Sequence, residues 1–215
     1  MKMKIIDGSV SLILVGKWNR HILTPKWVAR KIFEEKKIQV EFPINNPEIG
    51  PRYKSDSNII FKPSVHRCEF FPPAPYEDET LRRISLLTGR LVKILVHTPI
   101  TGMGINFGFE EKSEDFSKLD LFSISDTDDL LELDLKSGET EIIRHIPIEN
   151  GTLNLKAIYN PNSVTLDFNF HYGVKSAEDV AGIINDALII SNKDFALTIL
   201  EKVYELTLDE MEDEL

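Results

Sequence analysis

The sequence predicts an α+β fold, a largely antiparallel, twisted sheet with its helices packed on one face. Three observations carry this. Runs that alternate apolar and polar residues recur along the chain, "GINFGFE" and "SVTLDFNFHY" among them. The turns between the later runs, "ENG" and "NPNS", are so short that they join antiparallel neighbours. Between the strand runs stand segments with helical spacing and their own start or stop signals.

The N-terminal "MKMKIIDGSVSLILVG" opens with lysines and apolar residues, which invites a signal-peptide reading. Asp7, Gly8, Ser9 and Ser11 interrupt it, leave only the apolar block Leu12 to Val15, and no small-residue cleavage site follows. It reads as a strand. "TPKWVARKIFEEKK" is then a helix, with Thr24 as its cap, Pro25 at its first position, and Trp27, Val28, Ile32 and Phe33 on its buried side. "KIQVEFPI" is a strand, and "PINNPEIGPRYKSDSN" a long connection with three prolines. "NIIFKPSVHRCEFF" is one interrupted strand or two, since Pro63 cannot donate to a ladder and marks an edge or bulge.

The spacing predicts a helix over "YEDETLRRISLLTG", with Leu81, Ile84, Leu87 and also Leu86 on one side, acidic residues at its start and Gly89 as its C-terminal cap. "RLVKILVHTPI" alternates as a strand, Pro99 to Gly104 carry turn chemistry, and "GINFGFE" alternates again. The expected arrangement is a hairpin over residues 90 to 110. Gly102, Gly104 and Gly108 fit no phosphate-binding loop, because such loops open a helix and here a strand follows.

In the second half, "GETEIIRHIPI", "GTLNLKAIYN" and "SVTLDFNFHY" are three strands. "SAEDVAGIINDALIIS" starts a helix at Ser176, and "NKDFALTILEKVYELTLDEM" forms the last helix, with Ala196, Ile199, Leu200, Val203, Tyr204 and Leu206 apolar. One domain over 1–215 is expected, with 207–215 an acidic flexible tail. A weak echo between "SVHRCEFFPPAPYEDETLRRI" and "SVTLDFNFHYGVKSAEDVAGI" suggests two pseudo-repeats, about 1–90 and 91–206, each of strands followed by a helix.

Composition narrows the function. Hydrophobic residues at 42% and charged residues at 28% describe an ordinary globular chain, and no apolar run approaches the roughly 20 residues of a membrane helix. With 25 basic against 35 acidic residues the net charge is −10, an electrostatic disadvantage for holding phosphates, so neither nucleic acid nor membrane is expected as a partner. A single cysteine, Cys68, points to a reducing cytoplasm.

Alternation places Val92, Ile94, Val96, Ile105, Phe107, Phe109, Phe168, Phe170 and Tyr172 on the buried sheet face. Lys93, His97, Asn106, Glu110, Asp167, Asn169 and His171 stand opposite. The histidines make no metal-binding pair, and "DTDDLLELD" lacks the glycine and the final glutamate of a calcium loop, so no metal or cofactor is expected. His66 and Cys68 are two apart, too far for easy nucleophile–base pairing. The reading that follows is a non-enzymatic cytoplasmic interaction protein. It would bind a protein partner or itself through sheet edges or the polar sheet face, with the proline-rich "FFPPAPY" as a further contact. The alternative is a small-molecule-binding or hydrolytic protein with a pocket between sheet and helices, using His97, His145 or His171 with Asp167 as acid or base.

Overall fold

The computed structural model describes residues 2–42, 50–112, 132–134, 139–160 and 163–209. Eleven strands run among them: β1 Lys2–Ile5, β2 Ser11–Gly16, β3 Gln39–Glu41, β4 Arg52–Lys54, β5 Ile60–Pro63, β6 Arg67–Phe71, β7 Ile100–Lys112, β8 Thr140–Ile148, β9 Gly151–Asn160, β10 Ser163–Tyr172 and β11 Thr207–Leu208. The helices are α1 Pro25–Val28, continued by a π-helical turn over Ala29–Phe33, α2 Asp78–Ile94, α3 Ala177–Ile183 and α4 Leu188–Tyr204. The α+β class and the antiparallel sheet are as expected. The sheet runs β3-β4-β5-β6-β2-β7-β10-β9-β8, with β1 on β7 beyond the end of β2. Every pairing is antiparallel except β1 with β11.

The core lies between one sheet face and the helices. Met103, Ile105, Phe107 and Phe109 of β7 alternate inward against Val164, Leu166, Phe168 and Phe170 of β10, all buried. Phe109 meets Phe168 edge-on at 5.6 Å and Phe107 meets Phe170 at 6.1 Å, the geometry that aromatic quadrupoles favour. α4 sits on this face: its Asn192 exchanges hydrogen bonds with the Tyr172 hydroxyl, and its Phe195 ring stands 6.3 Å from Phe170. Lys193 ties α4 to α2 through Asp78, and Arg83 and Arg90 of α2 donate to the carbonyls of Phe33 and Ile32 in the π-helical turn.

Several expectations are corrected. The strand expected over 90–98 is the last part of α2, which passes through Gly89 and ends at Ile94. Leu81, Ile84, Thr88, Leu91 and Val92 continue one buried helical stripe, and a 3.6-residue period won over a coincidental alternation. Val92 is therefore buried in the helix, whereas Ile94 and Val96 are exposed and Lys93 and His97 leave the sheet altogether. The turn expected at Pro99 to Gly104 is displaced too: β7 begins at Ile100, so Gly102 and Gly104 are strand residues.

α1 is shorter than expected, and Thr24 is extended but makes no side-chain cap. The expected helix from Ser176 breaks at Ile184, which is extended, and restarts at Leu188; Ser176 does cap it, accepting from the Asp179 amide at 3.1 Å. α4 stops at Tyr204 because Glu205 turns left-handed, and buried Leu206 leads into β11 instead of extending the helix. Ser64 lies in the turn between β5 and β6 while Ser163 opens a ten-residue strand, so the two serines that begin the echo hold different places in the sheet.

Candidate functional site: the polar face and open edge of the sheet

Every second residue of these strands faces away from the helices, and this second face continues across the whole sheet. At its centre a chain of side-chain hydrogen bonds crosses five strands. Ser11, Asn106, Asn169, Asn154 and His145 lie directly opposite one another in successive registers of β2, β7, β10, β9 and β8. Asn106 Nδ2 donates to Ser11 Oγ at 3.0 Å, Asn169 Nδ2 to Asn106 Oδ1 at 2.6 Å, and Asn154 Nδ2 to Asn169 Oδ1 at 2.8 Å. With its amide nitrogen so committed, Asn154 offers only its oxygen to His145, so His145 Nδ1 donates across the 2.7 Å contact. Side-chain amides donate and accept at once, which is why asparagine can propagate such a row and a carboxylate cannot.

The glycines of β7 make room for it. Gly102, Gly104 and Gly108 occupy alternate positions on this face. A Cβ at Gly104 would stand 3.2 Å from Asn169 Nδ2, one at Gly102 3.3 Å from His171 Cε1, and one at Gly108 2.9 Å from Ser9 Cβ and 3.0 Å from Asp167 Oδ1. Their strand lies between β2 and β10, so their backbone belongs to a ladder and forms no anion cradle.

One row away, Asp167 lies opposite Lys156, which reaches Glu141 at 2.7 Å. Burial pushes the Asp167 carboxyl above the usual carboxylate range; Lys156 opposes this and Glu141 adds to it. The Lys156 ammonium is itself held up, first by its hydrogen bond to Glu141.

The candidate residues thus reach the same face without converging. His145, Asp167 and His171 stand on three different cross-strand rows, and Asp167 and His171, four residues apart on β10, are separated by roughly 13 Å of strand. His145 is bonded to an amide instead of a carboxylate. All three point away from the helices, not into a space between helices and sheet. His97 lies apart, exposed just beyond the end of α2. His66 is exposed in a turn while Cys68 is fully buried, and burial, then Glu69, pushes the thiol well up. Among the described residues no three His, Cys, Asp or Glu side chains form a metal-binding group; "DTDDLLELD" falls mostly outside the described residues. In "FFPPAPY", Ala74 and Pro75 are exposed, but Tyr76 is buried with its hydroxyl at Asp7 and the Gly8 amide.

Two hollows flank β4 and β5. One of about 510 Å³ is lined by Trp18, Arg20, His21, Tyr53 and Val65 among others, and there burial pushes the Tyr53 phenol up to about 12 while its hydroxyl donates to the Leu23 carbonyl. The other, about 430 Å³, lies on the polar face between Arg52, Lys54, Lys62 and Phe71, with the Lys62 ammonium 4.2 Å above the Phe71 ring.

Sequence reasoning missed Ser11, Asn154, Lys156 and Glu141, although the alternation of "GTLNLKAIYN" already sets Asn154 and Lys156 opposite Leu153, Leu155 and Ala157. It named sheet edges but not the strand that forms one. Among the described residues β8 ends the sheet, nine residues long with Ile143 half-exposed at 51%. The two-residue turn Glu149–Asn150 makes Ile148 and Gly151 the hydrogen-bonded pair, and alternation from there turns the backbone groups of Glu141, Ile143 and His145 outward. Pro147 falls in the same outward set, where its missing N–H costs the ladder nothing. No protein-family model matches this chain, and no curated protein is similar to it.

Proposed function

We propose that this chain is a non-enzymatic cytoplasmic interaction protein that engages a protein partner, or a second copy of itself, through the edge and the polar face of its sheet. The observation that carries the reading is strand β8, which ends the sheet among the described residues and whose outward N–H and C=O groups flank a half-exposed isoleucine. An edge of that kind is a ready template for another strand, and main-chain bonds there supply affinity while alternate side chains supply selectivity. The amide row behind it supports the reading in a second way. Its members already satisfy one another, so the face is held rigid and a partner need not order it on binding. The net charge of −10 favours protein over nucleic acid as that partner, and the lone, buried cysteine suits a reducing compartment.

Size-exclusion chromatography with light scattering tests this on the purified chain and in cell extract, for the wild type and for Ile143→Pro. Proline there removes an outward donor only, so the monomer keeps its inward ladder. The wild type is expected to elute as a larger species in at least one setting and the variant as a monomer. A wild type that is monomeric with nothing co-eluting in both settings overturns the proposal.

A further inference from the structure

We propose that β8 pairs antiparallel with β8 of a second copy, about a two-fold axis through Ile143, so that two sheets join into one. The inference deepens the interaction reading above and names its partner as this same chain.

Symmetry and chemistry together select the register. A two-fold axis perpendicular to the sheet keeps each residue on its own face, so outward-bonding Glu141, Ile143 and His145 can pair only among themselves and their outward neighbours. An axis through Arg144 would set that guanidinium against its own copy and place Glu141 opposite Pro147, which has no N–H to donate. An axis through Ile142 would set Ile143 against Glu141, an apolar side chain against a carboxylate. An axis through Ile143 sets isoleucine against isoleucine and Glu141 against His145, twice, by symmetry. The Ile142–Arg144 pairs it also makes fall on the core face, where the Arg144 guanidinium is already engaged by the Tyr204 hydroxyl. Unlike charges and matched apolar groups directly opposite are the stabilising cross-strand combinations.

Both polar residues arrive pre-positioned. Glu141 is held by Lys156 at 2.7 Å, and His145 is held by Asn154 through Nδ1, so the bond to the Glu141 carboxylate across the axis falls to Nε2, which donates it in the doubly protonated, imidazolium form of the ring. The amide row of each copy would then run through His145 into the Glu141–Lys156 pair of the other. The second copy also covers Ile143, which is half-exposed in the single chain.

Two single substitutions test the register. In Glu141→Lys, cation faces imidazole at both positions; in His145→Glu, carboxylate faces carboxylate at both. Each variant alone is expected to dissociate about tenfold more readily than the wild type by sedimentation equilibrium, whereas their equimolar mixture forms a dimer again, because each supplies the charge the other lacks. Ile143→Cys adds a direct reading. Its two sulfurs would sit on residues about 5.5 Å apart at Cα, within disulfide range, while buried Cys68 stays out of the reaction. Oxidation should link that variant and leave Val65→Cys, exposed near the other end of the sheet, unlinked. The proposal is overturned by a wild type that stays monomeric up to about 0.5 mM, by a mixture that fails to reassociate, or by equal cross-linking at both cysteines. A monomeric wild type that still co-elutes with another species in extract, and loses it in Ile143→Pro, sinks the self-pairing and spares the interaction reading.

Discussion

Asn169 and Asn106 lie directly opposite each other on β10 and β7, joined by a 2.6 Å bond from the amide nitrogen of the first to the amide oxygen of the second. Replacing Asn169 with aspartate removes that donor and turns two acceptors toward each other. Asn169→Asp should therefore lose about 2 kcal/mol of stability, more than the roughly 1 kcal/mol expected for a hydrogen bond simply deleted by Asn169→Leu. Denaturant unfolding of the two variants measures the difference, and equal losses would show that the row carries no directional bond.

Gly108 is the tightest of the β7 glycines on the polar face. A methyl group there meets Ser9, whose hydroxyl accepts from the Gly108 amide at 3.0 Å and donates to the Ile6 carbonyl at 2.7 Å where the chain passes from β1 to β2. Gly108→Ala should cost about 1–3 kcal/mol through this overpacking, despite the gain in β-compatible backbone that alanine brings. Ser9→Gly in the same background should recover part of the loss, read as a rise in Tm.

Burial raises the Asp167 carboxyl in the folded chain above its unfolded value. The folded state thus favours the protonated form, and the stability this contributes is present below the unfolded pKa and lost as pH rises through the folded one. Asp167→Asn keeps the neutral shape at every pH. It should be more stable than the wild type at neutral pH, by under about 1 kcal/mol because the group is half-exposed, with the gap closing near pH 3. Thermal melts across that range read it directly, and a gap that widens on acidification would reverse the sign.

Thr88 lies wholly buried in α2 with its hydroxyl unpartnered. Valine has nearly the same shape and no polar atom to desolvate, so Thr88→Val should stabilise the fold by about 1 kcal/mol. A loss of stability on denaturant unfolding would mean that the hydroxyl is satisfied in solution.

The sheet was legible wherever alternation was uninterrupted. Phe107, Phe109, Phe168 and Phe170 were placed inward from the sequence, and Asn106, Asp167 and Asn169 outward, because a strand offers only two sides. The end of α2 was not legible, since Leu91 and Val92 satisfy a helical stripe while Val92, Ile94 and Val96 satisfy an alternation, and only packing against the turn after α1 and against α3 and α4 decides between them. The amide row was half legible. Alternation assigns Asn154, Asn169 and Asn106 a face, but whether they meet depends on register, and register is set by turns and by neighbours distant in sequence. Ile143 and its edge required the sheet order, which no local pattern encodes.

β1 and β11 pair in parallel, Lys2 beside Thr207 and Met3 beside Leu208, with Asp209 donating its amide to the Met3 carbonyl and taking Lys2 at 3.2 Å. Tension applied at residue 2 and at residue 209 draws two such strands past each other lengthwise. Their bonds are then loaded together in shear, where an antiparallel pair would peel open one link at a time. A force that spans these two points must therefore break this clasp before it separates the two ends of the described chain.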